Sequence, residues 1–519
     1  QGQNQANTTI KLANNASGFG DGSCDASYES GSGCPAMLYS STATRDGGWP
    51  NGAGEGGYWN DIFDLTLDTG SGNAGAVAID WNCSNTAAIR NVTIKGSGRV
   101  GLNTSRGAGG GGNGPALVKN LTVNGSFDYG IVAGSGEVGL TFEHIFITNP
   151  KTAGFWNTNQ NIWIRDLEVT ASGNVPAILN QNNSNLSVID SSFTGSGTSA
   201  IQNSAWLYAR NIQTSGYASA IAGVTGTSVN EYSSTSVVKL TSAASGNSLR
   251  LPIKETPAPF TDNNFSNWAI VQNTGGDSTA AIQSALNSGK ATVYFPPVAT
   301  YNITGTLHIP SGVRRLLGAV SAFNAPNGAA IIECDSTSGG PVEIRSFSFA
   351  GSINIVNKCG VPLVIADVFN LNGYSNVAGS GLEVYFENAA IPGDGVIQHG
   401  GNAWARQLDV ETNNTHGTTD GGNFWVLGFK TEGTGENGNG MWYTTNQGST
   451  EIIGAFDSTP GAGNWTGYQT IDSSISISGL SAGSGLTTPL MEKHNGAVST
   501  YSNNGVRFGG TAVPLYSGK

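Results

Sequence analysis

The sequence predicts an all-β protein in which two β-solenoids follow one another along the chain. Short runs of alternating apolar and polar residues recur about every 20 to 30 residues in both halves, and each run leads into Gly/Ser/Thr-rich sequence. Alternation with a period of two indicates strands, and a repeat of this length is typical of stacked solenoid coils. Glycine contributes 76 of the 519 residues and charged residues only 11 %, which agrees with many strands joined by tight turns.

A polar residue or a glycine marks a comparable position in each run. In the first half the markers are Asp64, Asn91, Asn120, His144, Asp166, Asp190 and Asn211. In the second half they are Ser346, Asp367, Asn388, Gln407, Gly428, Gly454 and Ser478. A solenoid stacks comparable positions of successive coils, so residues one period apart are expected to be neighbours and can build a site together.

The repeat pattern predicts a first parallel β-helix over residues 1–250 and a second over residues 277–519, which ends in a C-terminal cap. The segment 251–276 between them contains Pro252 and Pro257 and interrupts the alternation. Because prolines of this density break regular structure, we interpret that segment as a linker.

A short amphipathic helix is predicted at the start of the second β-helix. Residues 277–286 carry apolar side chains at helical spacing, with Asp277 or Ser278 as the N-cap and Gly289 just past the end. A helix at this place would cover the open end of a solenoid. The first β-helix begins directly with the strand-like residues 8–12, so its N-terminal cap is expected to be reduced or absent.

Five cysteines favour disulfides over a metal site. Cys24 and Cys34 can close a local loop, and Cys334 and Cys359 lie about one coil apart, which leaves Cys83 over. The chain has no Cys-x-x-Cys pair, and no secretory signal precedes Gln1, so the N-terminus looks processed or incomplete. Disulfides form in oxidising compartments, so we expect an extracellular, secreted protein that needs no metal and no cofactor.

The charge pattern excludes two classes of partner. The net charge is −12 and no Lys/Arg-rich run occurs, so the electrostatic footprint of a nucleic-acid-binding protein is missing. No apolar stretch is long enough to span a membrane. A neutral polysaccharide suits this composition better than an anionic one, and we expect a monomer.

Several segments resemble a known family of glycoside hydrolases. Residues 277–297, an amphipathic helix followed by a strand and Pro-Pro, resemble the opening of pectate-lyase-superfamily β-helix proteins. Residues 75–94 resemble the first half of glycoside hydrolase family 55, and residues 402–408, 421–433 and 450–454 resemble its second half. The resemblance implies two tandem right-handed parallel β-helices in a rib-cage arrangement. It also implies exo-acting hydrolysis of β-1,3-glucan with inversion at the anomeric carbon.

The resemblance also implies a set of catalytic residues. Glu432 stands in the Lys-Thr-Glu-Gly context of the family's general acid. The repeat spacing, and not the resemblance, adds Glu411, which ends the preceding run about one coil earlier and is either a second catalytic carboxylate or a rim residue that only binds sugar or solvent. Two such carboxylates in register would lie about 5 Å apart, which raises the pKa of one of them. The family uses a Gln and a Ser of the first β-helix to position the attacking water, and Gln160 and Ser184 match these positions by coil alignment.

Aromatic and amide side chains near Glu432 are the predicted sugar contacts. We expect Trp404, Trp442, Tyr443 and Asn402 to bind substrate, because aromatic faces suit the apolar faces of sugar rings. Trp425 is expected to fill the core. Residues 436–440 look like an insertion that reshapes the site.

Two other functions agree with the same sequence. A pectinase or polysaccharide lyase would need an Asp cluster for calcium or an Asp-Asp pair, and neither stands out in the sequence. A glycan-binding or structural β-solenoid without activity would need no catalytic pair at all. Products formed from laminarin, pectate and xylan would distinguish these alternatives.

Overall fold

The computed structural model describes residues 2–27, 33–40, 57–105, 113–134, 136–273, 275–297, 300–433, 440–458, 466–482, 486–502 and 513–519. Strands account for 59 % and helix for 2 % of this structure, and the strands wind into a parallel β-helix of about 18 turns. The prediction of an all-β solenoid is confirmed.

Within the described residues the strands belong to two large sheets, of which the first has 13 strands. They are β1 (Thr9–Lys11), β2 (Ala36–Tyr39), β3 (Ile62–Asp68), β4 (Val77–Asp80), β5 (Ala87–Asn103), β6 (Ala116–Ala133), β7 (Gly136–Thr148), β8 (Ala153–Asn157), β9 (Gln160–Thr170), β10 (Ile178–Asn180), β11 (Asn185–Asn203), β12 (Trp206–Ile221) and β13 (Ser228–Ser233). Pairing is parallel from β1 to β12, and β13 closes the stack by an antiparallel pairing with β12.

The second sheet has 20 strands in the described part of the chain. They are β14 (Trp268–Ile270), β15 (Thr292–Tyr294), β16 (Thr300–Asn302), β17 (Thr306–Ile309), β18 (Arg315–Cys334), β19 (Val342–Asn357), β20 (Leu363–Phe369), β21 (Gly373–Asn376), β22 (Glu383–Ala390), β23 (Gly395–His399), β24 (Asn402–Glu411), β25 (Gly417–Asp420), β26 (Asn423–Glu432), β27 (Trp442–Thr445), β28 (Ser449–Asp457), β29 (Thr466–Ile471), β30 (Ser474–Ser481), β31 (Thr488–His494), β32 (Ala497–Tyr501) and β33 (Val513–Gly518). The long strands β18 and β19 pair directly with each other, whereas from β20 to β29 each strand pairs in parallel with the strand two further along the chain, as expected when one coil contributes two separate strands. The stack ends in the antiparallel pairs β31–β32 and β30–β33.

The marker residues of the sequence pattern share a left-handed backbone. In the first half all seven have φ between 51° and 61°. In the second half the comparable left-handed positions of successive coils are Ser346, Asp367, Asn388, Gln407, Gly428, Gly454 and Gly479. The marker predicted at Ser478 is therefore wrong by one residue. Asn, Asp and Gly tolerate this conformation best, which explains why the repeat is visible as a series of such residues.

The two sheets pack against each other closely. The glycines of the left-handed row make this possible, because a Cβ on Gly428 would overlap the Thr141 hydroxyl and one on Gly454 would overlap the Trp163 ring. Each sheet also encloses its own apolar core. A third cluster of large buried side chains, including Trp163 and Trp425, lies at the boundary between the sheets.

The segment predicted as a linker crosses this boundary. The Trp404 indole nitrogen donates to the Pro252 carbonyl at 2.8 Å, and Arg406 donates to the Lys254 carbonyl at 2.7 Å. Strand β14 lies inside the predicted linker and pairs with β15. The second sheet therefore begins before residue 277.

The predicted helix is present as α1 (Thr279–Leu286), with Ser278 as its N-cap. The Asp277 carboxylate accepts from the Thr279 backbone nitrogen at 3.0 Å and so supports the first turn. Ile282 and Leu286 are buried in the core of the second sheet. The amphipathic pattern thus reflects packing of one helix face on that core.

Both predicted disulfides are confirmed. Cys24 bonds to Cys34 and Cys334 bonds to Cys359, while Cys83 is a buried free cysteine. Two disulfides indicate an oxidising, non-cytosolic environment. None of the described helices has the length and apolar character needed to cross a membrane.

Candidate active site

The ends of β24 and β26 bring one lysine and three carboxylates together. Lys430 is only 3 % exposed, and its ammonium group contacts Glu411 and lies 2.8 Å from Glu432 Oε1 and 3.6 Å from Asp409 Oδ1. In the parallel register, Asp409 pairs with Lys430 and Glu411 pairs with Glu432. The four side chains therefore leave the same face of the sheet. We call them the Lys430 cluster.

Charge in the Lys430 cluster is unbalanced, since one ammonium group faces three carboxylates. Burial raises the pKa of Asp409 well above its usual range, and Glu411 and Glu432 add to the rise, although Lys430 opposes it. Burial disfavours the charge on Lys430, but the surrounding carboxylates outweigh that and raise its pKa. Asp409 and Lys430 are not among the site residues predicted from the sequence. Their spacing of two from Glu411 and Glu432 is the signal that could have found them.

A buried histidine fixes the backbone next to both glutamates. His416 Nε2 donates to the Thr412 carbonyl at 2.7 Å, and the Thr431 hydroxyl is hydrogen-bonded to Nδ1. Thr412 follows Glu411 and Thr431 precedes Glu432 in the chain. Burial lowers the pKa of His416 to about 4, so the imidazole is neutral at pH 7.

The two glutamates open into a pocket of about 540 Å³. Its lining consists of Asn372, Pro392, Gly393, Asp394, Glu411, Thr412, Asn413, Asn414, Glu432 and Gly433. None of these lining residues is aromatic, lysine or arginine, so the described wall is polar and acidic. The predicted insertion 436–440 lies outside the described residues except for Gly440.

A series of hydrogen bonds connects this pocket with the first sheet. Asn85 Nδ2 donates to Glu411 Oε1 at 3.2 Å across the boundary. Two residues earlier, the Cys83 backbone nitrogen donates to Asn113 Oδ1 at 3.1 Å. The Asn113 carbonyl in turn accepts from Gln160 Nε2 at 2.7 Å. Glu411 and Gln160 are therefore joined through a few residues of the first sheet.

The coil alignment of the two predicted water-positioning residues agrees with the register. Asn161 and Asn185 are paired, which stacks Gln160 beside Ser184. Both side chains are buried inside the first sheet, and the Ser184 hydroxyl donates to the Asn157 carbonyl at 3.2 Å. Gln160 Oε1 is buried and has no hydrogen-bond partner within the described residues. Neither side chain lines the pocket at Glu432.

Two tryptophans predicted to bind sugar are in fact buried. Trp442 lies in the core of the second sheet, with its ring 4.9 Å from that of Phe424 and 5.2 Å from that of Phe429. Trp404 is buried at the boundary between the sheets, beneath Pro252. Proximity to Glu432 in sequence is misleading here, because alternate residues of a strand point to opposite faces. The assignment of both tryptophans as sugar contacts is wrong.

Asn402 is placed at the wrong end of its strand for a role beside Glu411. It opens β24 and Glu411 closes it, nine residues later and beyond the left-handed bend at Gln407. The Asn402 side chain instead accepts from Asn423 Nδ2 at 2.9 Å. Tyr443 is half-buried on β27 and its predicted role stays a prediction. Trp425 is buried, but at the boundary between the sheets and not in the solenoid core as expected, because its ring faces away from that core.

A second group of charged side chains lies at the sheet boundary away from this pocket, and all of them except the half-exposed Glu255 are mostly buried. Its cations are Arg90, Lys119, Arg165, Arg345 and Arg406, and its anions are Glu143, Glu255, Glu343, Asp367 and Glu387. We call these ten residues the balanced network, since positive and negative charges are equal in number. A pocket of about 640 Å³ opens beside the network.

Two groups of described side chains bring three possible metal ligands together. They are Glu143, His144 and Glu255, and His308, Glu333 and Asp335. A protein cation already lies on one carboxylate of each group, with Arg406 Nε 2.8 Å from Glu143 and Lys358 Nζ 2.7 Å from Glu333. The expectation that no cofactor is needed stays a prediction.

A search against models of known protein families finds no match for this chain, and no curated protein matches it either. The chemistry of the pocket therefore has to be inferred from its own residues.

Proposed function

We propose that the protein is a glycoside hydrolase that cleaves a neutral β-1,3-glucan at the pocket of the Lys430 cluster. The observation that carries this proposal is the pairing of Glu411 and Glu432 in register, on adjacent strands and at the wall of an open pocket. Glycoside hydrolysis needs two such carboxyl groups on either side of the scissile bond. The β-1,3 linkage and exo action rest on the family resemblance.

The charge of the pocket supports a neutral substrate. Asp394, Glu411 and Glu432 line the wall, and the cation nearest to them, Lys430, is buried behind it. An anionic polymer such as pectate would be repelled by this wall. A lyase would also need an accessible cationic base, and the ammonium group of Lys430 is occupied by carboxylates.

In the proposed reaction Glu432 is the general acid that protonates the departing glycosidic oxygen. Its side chain is 45 % exposed, so substrate can reach it. With inversion, a water molecule attacks from the opposite face of the sugar and loses its proton to another group. The family resemblance assigns this water to Gln160 and Ser184, but neither side chain lines the pocket at Glu432, so the inverting mechanism needs another group to hold the water.

The close spacing of the glutamates favours a second mechanism with retention. Both carboxylates contact the same ammonium nitrogen and their strands are adjacent, so the carboxyl groups lie about 5 Å apart. Retaining enzymes have a spacing of about 5–5.5 Å, whereas inverting enzymes have about 6.5–9.5 Å. Glu411 would then be the nucleophile. Proton NMR of the first-formed product distinguishes the two, because inversion of a β-glucan yields the α-anomer and retention the β-anomer.

We further propose that the two sheets are two tandem right-handed β-helices in a rib-cage arrangement and that α1 caps the second. The division of the strands between two sheets and the packing of Ile282 and Leu286 support this. Secretion is proposed on the basis of the two disulfides.

Assays with laminarin, pectate and xylan test the proposed function. We expect reducing sugar from laminarin alone. Unsaturated products from pectate would identify a lyase instead. Binding of laminarin without turnover would favour a glycan-binding protein, and release of sugar only from xylan would exclude β-1,3-glucan as the substrate.

A further inference from the structure

The pocket at the Lys430 cluster has polar walls, yet an exposed aromatic segment lies a short distance from it. Tyr58 is 45 % exposed, and its ring lies 5.3 Å from the ring of Phe369, centroid to centroid. Phe369 ends β20, and Asn372, three residues further on, is part of the pocket wall. Tyr58 thus contacts Phe369, which lies only three residues before the pocket wall in the chain.

Tyr58 also lies along the axis on which the coils stack. Phe369 and Asp409 both stand two residues after a left-handed position, Asp367 and Gln407 respectively. They therefore belong to one row of the second sheet and are separated by two coils, or about 10 Å. A chain bound over the carboxylates and directed along this row would reach Tyr58.

The segment that carries Tyr58 is held in place from the first sheet. The Gly57 carbonyl accepts from the Ser84 backbone nitrogen at 3.2 Å, and Asn60 Nδ2 donates to the Asn82 carbonyl at 2.8 Å. Asn85, in the same stretch, donates to Glu411. The connection between β4 and β5 therefore positions both the aromatic segment and one carboxylate of the pocket.

The residue after Tyr58 has a strained backbone. Trp59 has φ of 59°, and its carbonyl accepts from the Asp61 backbone nitrogen at 2.8 Å in a tight turn. A bulky aromatic residue in the left-handed region is an outlier. Such conformations persist where the surrounding structure fixes them, and they cluster at ligand-binding sites.

We propose that Tyr58 and Trp59 form an aromatic subsite for the part of a glucan chain that extends beyond the carboxylate pocket. This inference rests on the proposed function, since the occupant is the same neutral polysaccharide. Aromatic rings stack on the apolar faces of sugars, and the described pocket wall offers none. The glucan would then lie along the boundary of the two sheets, with its remote units on Tyr58.

The test measures binding as a function of chain length. Calorimetry is done with Glu432→Gln protein, in which cleavage is blocked, and with laminaribiose and laminarihexaose as ligands. Adding Tyr58→Ala should weaken hexaose binding by about five- to tenfold and leave biose binding unchanged. Tyr58→Phe retains the ring and should restore most of the affinity. The matched control is Phe265→Ala. Phe265 is 69 % exposed and lies in the 3₁₀ helix Phe265–Asn267 before β14, so its removal should change neither the hexaose affinity nor the biose affinity.

Two failures are distinguishable. If the Glu432→Gln protein binds neither oligosaccharide, the proposed function fails and the subsite fails with it. If it binds hexaose more tightly than biose and Tyr58→Ala leaves that difference intact, the subsite alone is overturned.

A second variant separates the ring of Trp59 from its backbone strain. Trp59→Gly removes the ring but adopts the left-handed conformation without a Cβ penalty. We expect its unfolding temperature to stay at or above the parent value while hexaose affinity falls. Unchanged hexaose affinity in this folded variant would remove Trp59 from the subsite.

Discussion

Two groups of buried charge at the boundary between the sheets differ in their charge balance. The balanced network sets five cations against five anions. The Lys430 cluster sets one cation against three carboxylates. Most residues of both groups come from successive coils, but at different places, since Arg406 directly precedes the left-handed Gln407 and Asp409 follows it by two residues.

The difference in balance appears in the pKa values. Burial would raise the pKa of Glu143 in the balanced network, but Arg406, Lys119 and Arg165 outweigh it and lower the value to about 2. In the Lys430 cluster burial prevails and the pKa of Asp409 rises. A carboxylate that is fully neutralised holds the sheets together, whereas one that lacks a full counter-charge can hold and exchange a proton. Charge balance thus distinguishes the balanced network from the cluster that we propose to be catalytic.

The largest expected effect comes from the Lys430 cluster. Glu432→Gln removes the proposed general acid without changing its size, and we expect activity on laminarin to fall by about 10²- to 10⁴-fold. Circular dichroism and the unfolding temperature should stay at the parent values, since the side chain is half-exposed. Full activity in a folded variant would contradict the assignment of Glu432.

The balanced network should instead respond in stability. Arg406 is fully buried and lies 2.8 Å from Glu143. Arg406→Met leaves that carboxylate with less counter-charge, and we expect a loss of about 3–5 kcal/mol in the free energy of unfolding, measured with denaturant. Lys254→Met is the matched control, because Lys254 is 54 % exposed and its ion pair with Glu383 should contribute less than about 1 kcal/mol. Equal losses of unfolding free energy in both variants would show that the buried ion pair of Arg406 contributes no more to stability than the exposed ion pair of Lys254.

The two groups should also give stability curves of opposite slope in pH. The folded pKa of Glu143 is lowered, so the unfolded chain binds more protons between about 2 and 4.5, and the stabilisation due to Glu143 disappears as pH falls through that window. The full shift corresponds to on the order of 3 kcal/mol. The difference in stability between the parent protein and Glu143→Gln should therefore shrink below pH 4.5.

For Asp409 the dependence of folding stability on pH has the opposite sign. Its folded pKa is raised above 3.8, so the folded protein binds more protons than the unfolded chain above that pH, and the parent loses stability as pH rises. Asp409→Asn carries no such charge and should become more stable relative to the parent with increasing pH. Parallel curves for the two proteins would mean that Asp409 is already ionised in the folded state.

Much of the fold could be predicted because the backbone imposes a visible pattern. A left-handed residue in every coil selects Asn, Asp or Gly, so residues such as Asn91 and Gly428 reveal the repeat. The pairing of Glu411 with Glu432 follows from the same period. The Cys334–Cys359 disulfide follows as well, since these residues are about one coil apart, whereas Cys24 and Cys34 close a local loop.

The rest of the site depends on which faces of the two sheets meet, and a repeat period does not contain that information. The contact of Asn85 with Glu411 joins residues that are far apart in sequence. The role of Lys430 depends on its burial among carboxylates from the neighbouring coil. Trp442 follows Glu432 closely in the chain, which suggests a sugar contact, but its strand turns the ring into the core.

The smallest expected effect concerns the glycine row that keeps the two sheets at their spacing. Gly454→Ala would place a methyl group against the buried Trp163 ring at a left-handed position, and we expect a loss of about 1–3 kcal/mol in the free energy of unfolding. Gly496 also has a left-handed backbone, but no atom lies within 4 Å of the position of an added Cβ. Gly496→Ala should therefore lower the free energy of unfolding by only about 1 kcal/mol. If sheet spacing also sets the geometry of the Lys430 cluster, Gly454→Ala should lower activity on laminarin while Gly496→Ala does not. Equal stability losses with unchanged activity in both variants would show that the boundary adjusts freely and that the Lys430 cluster is organised by its own coils.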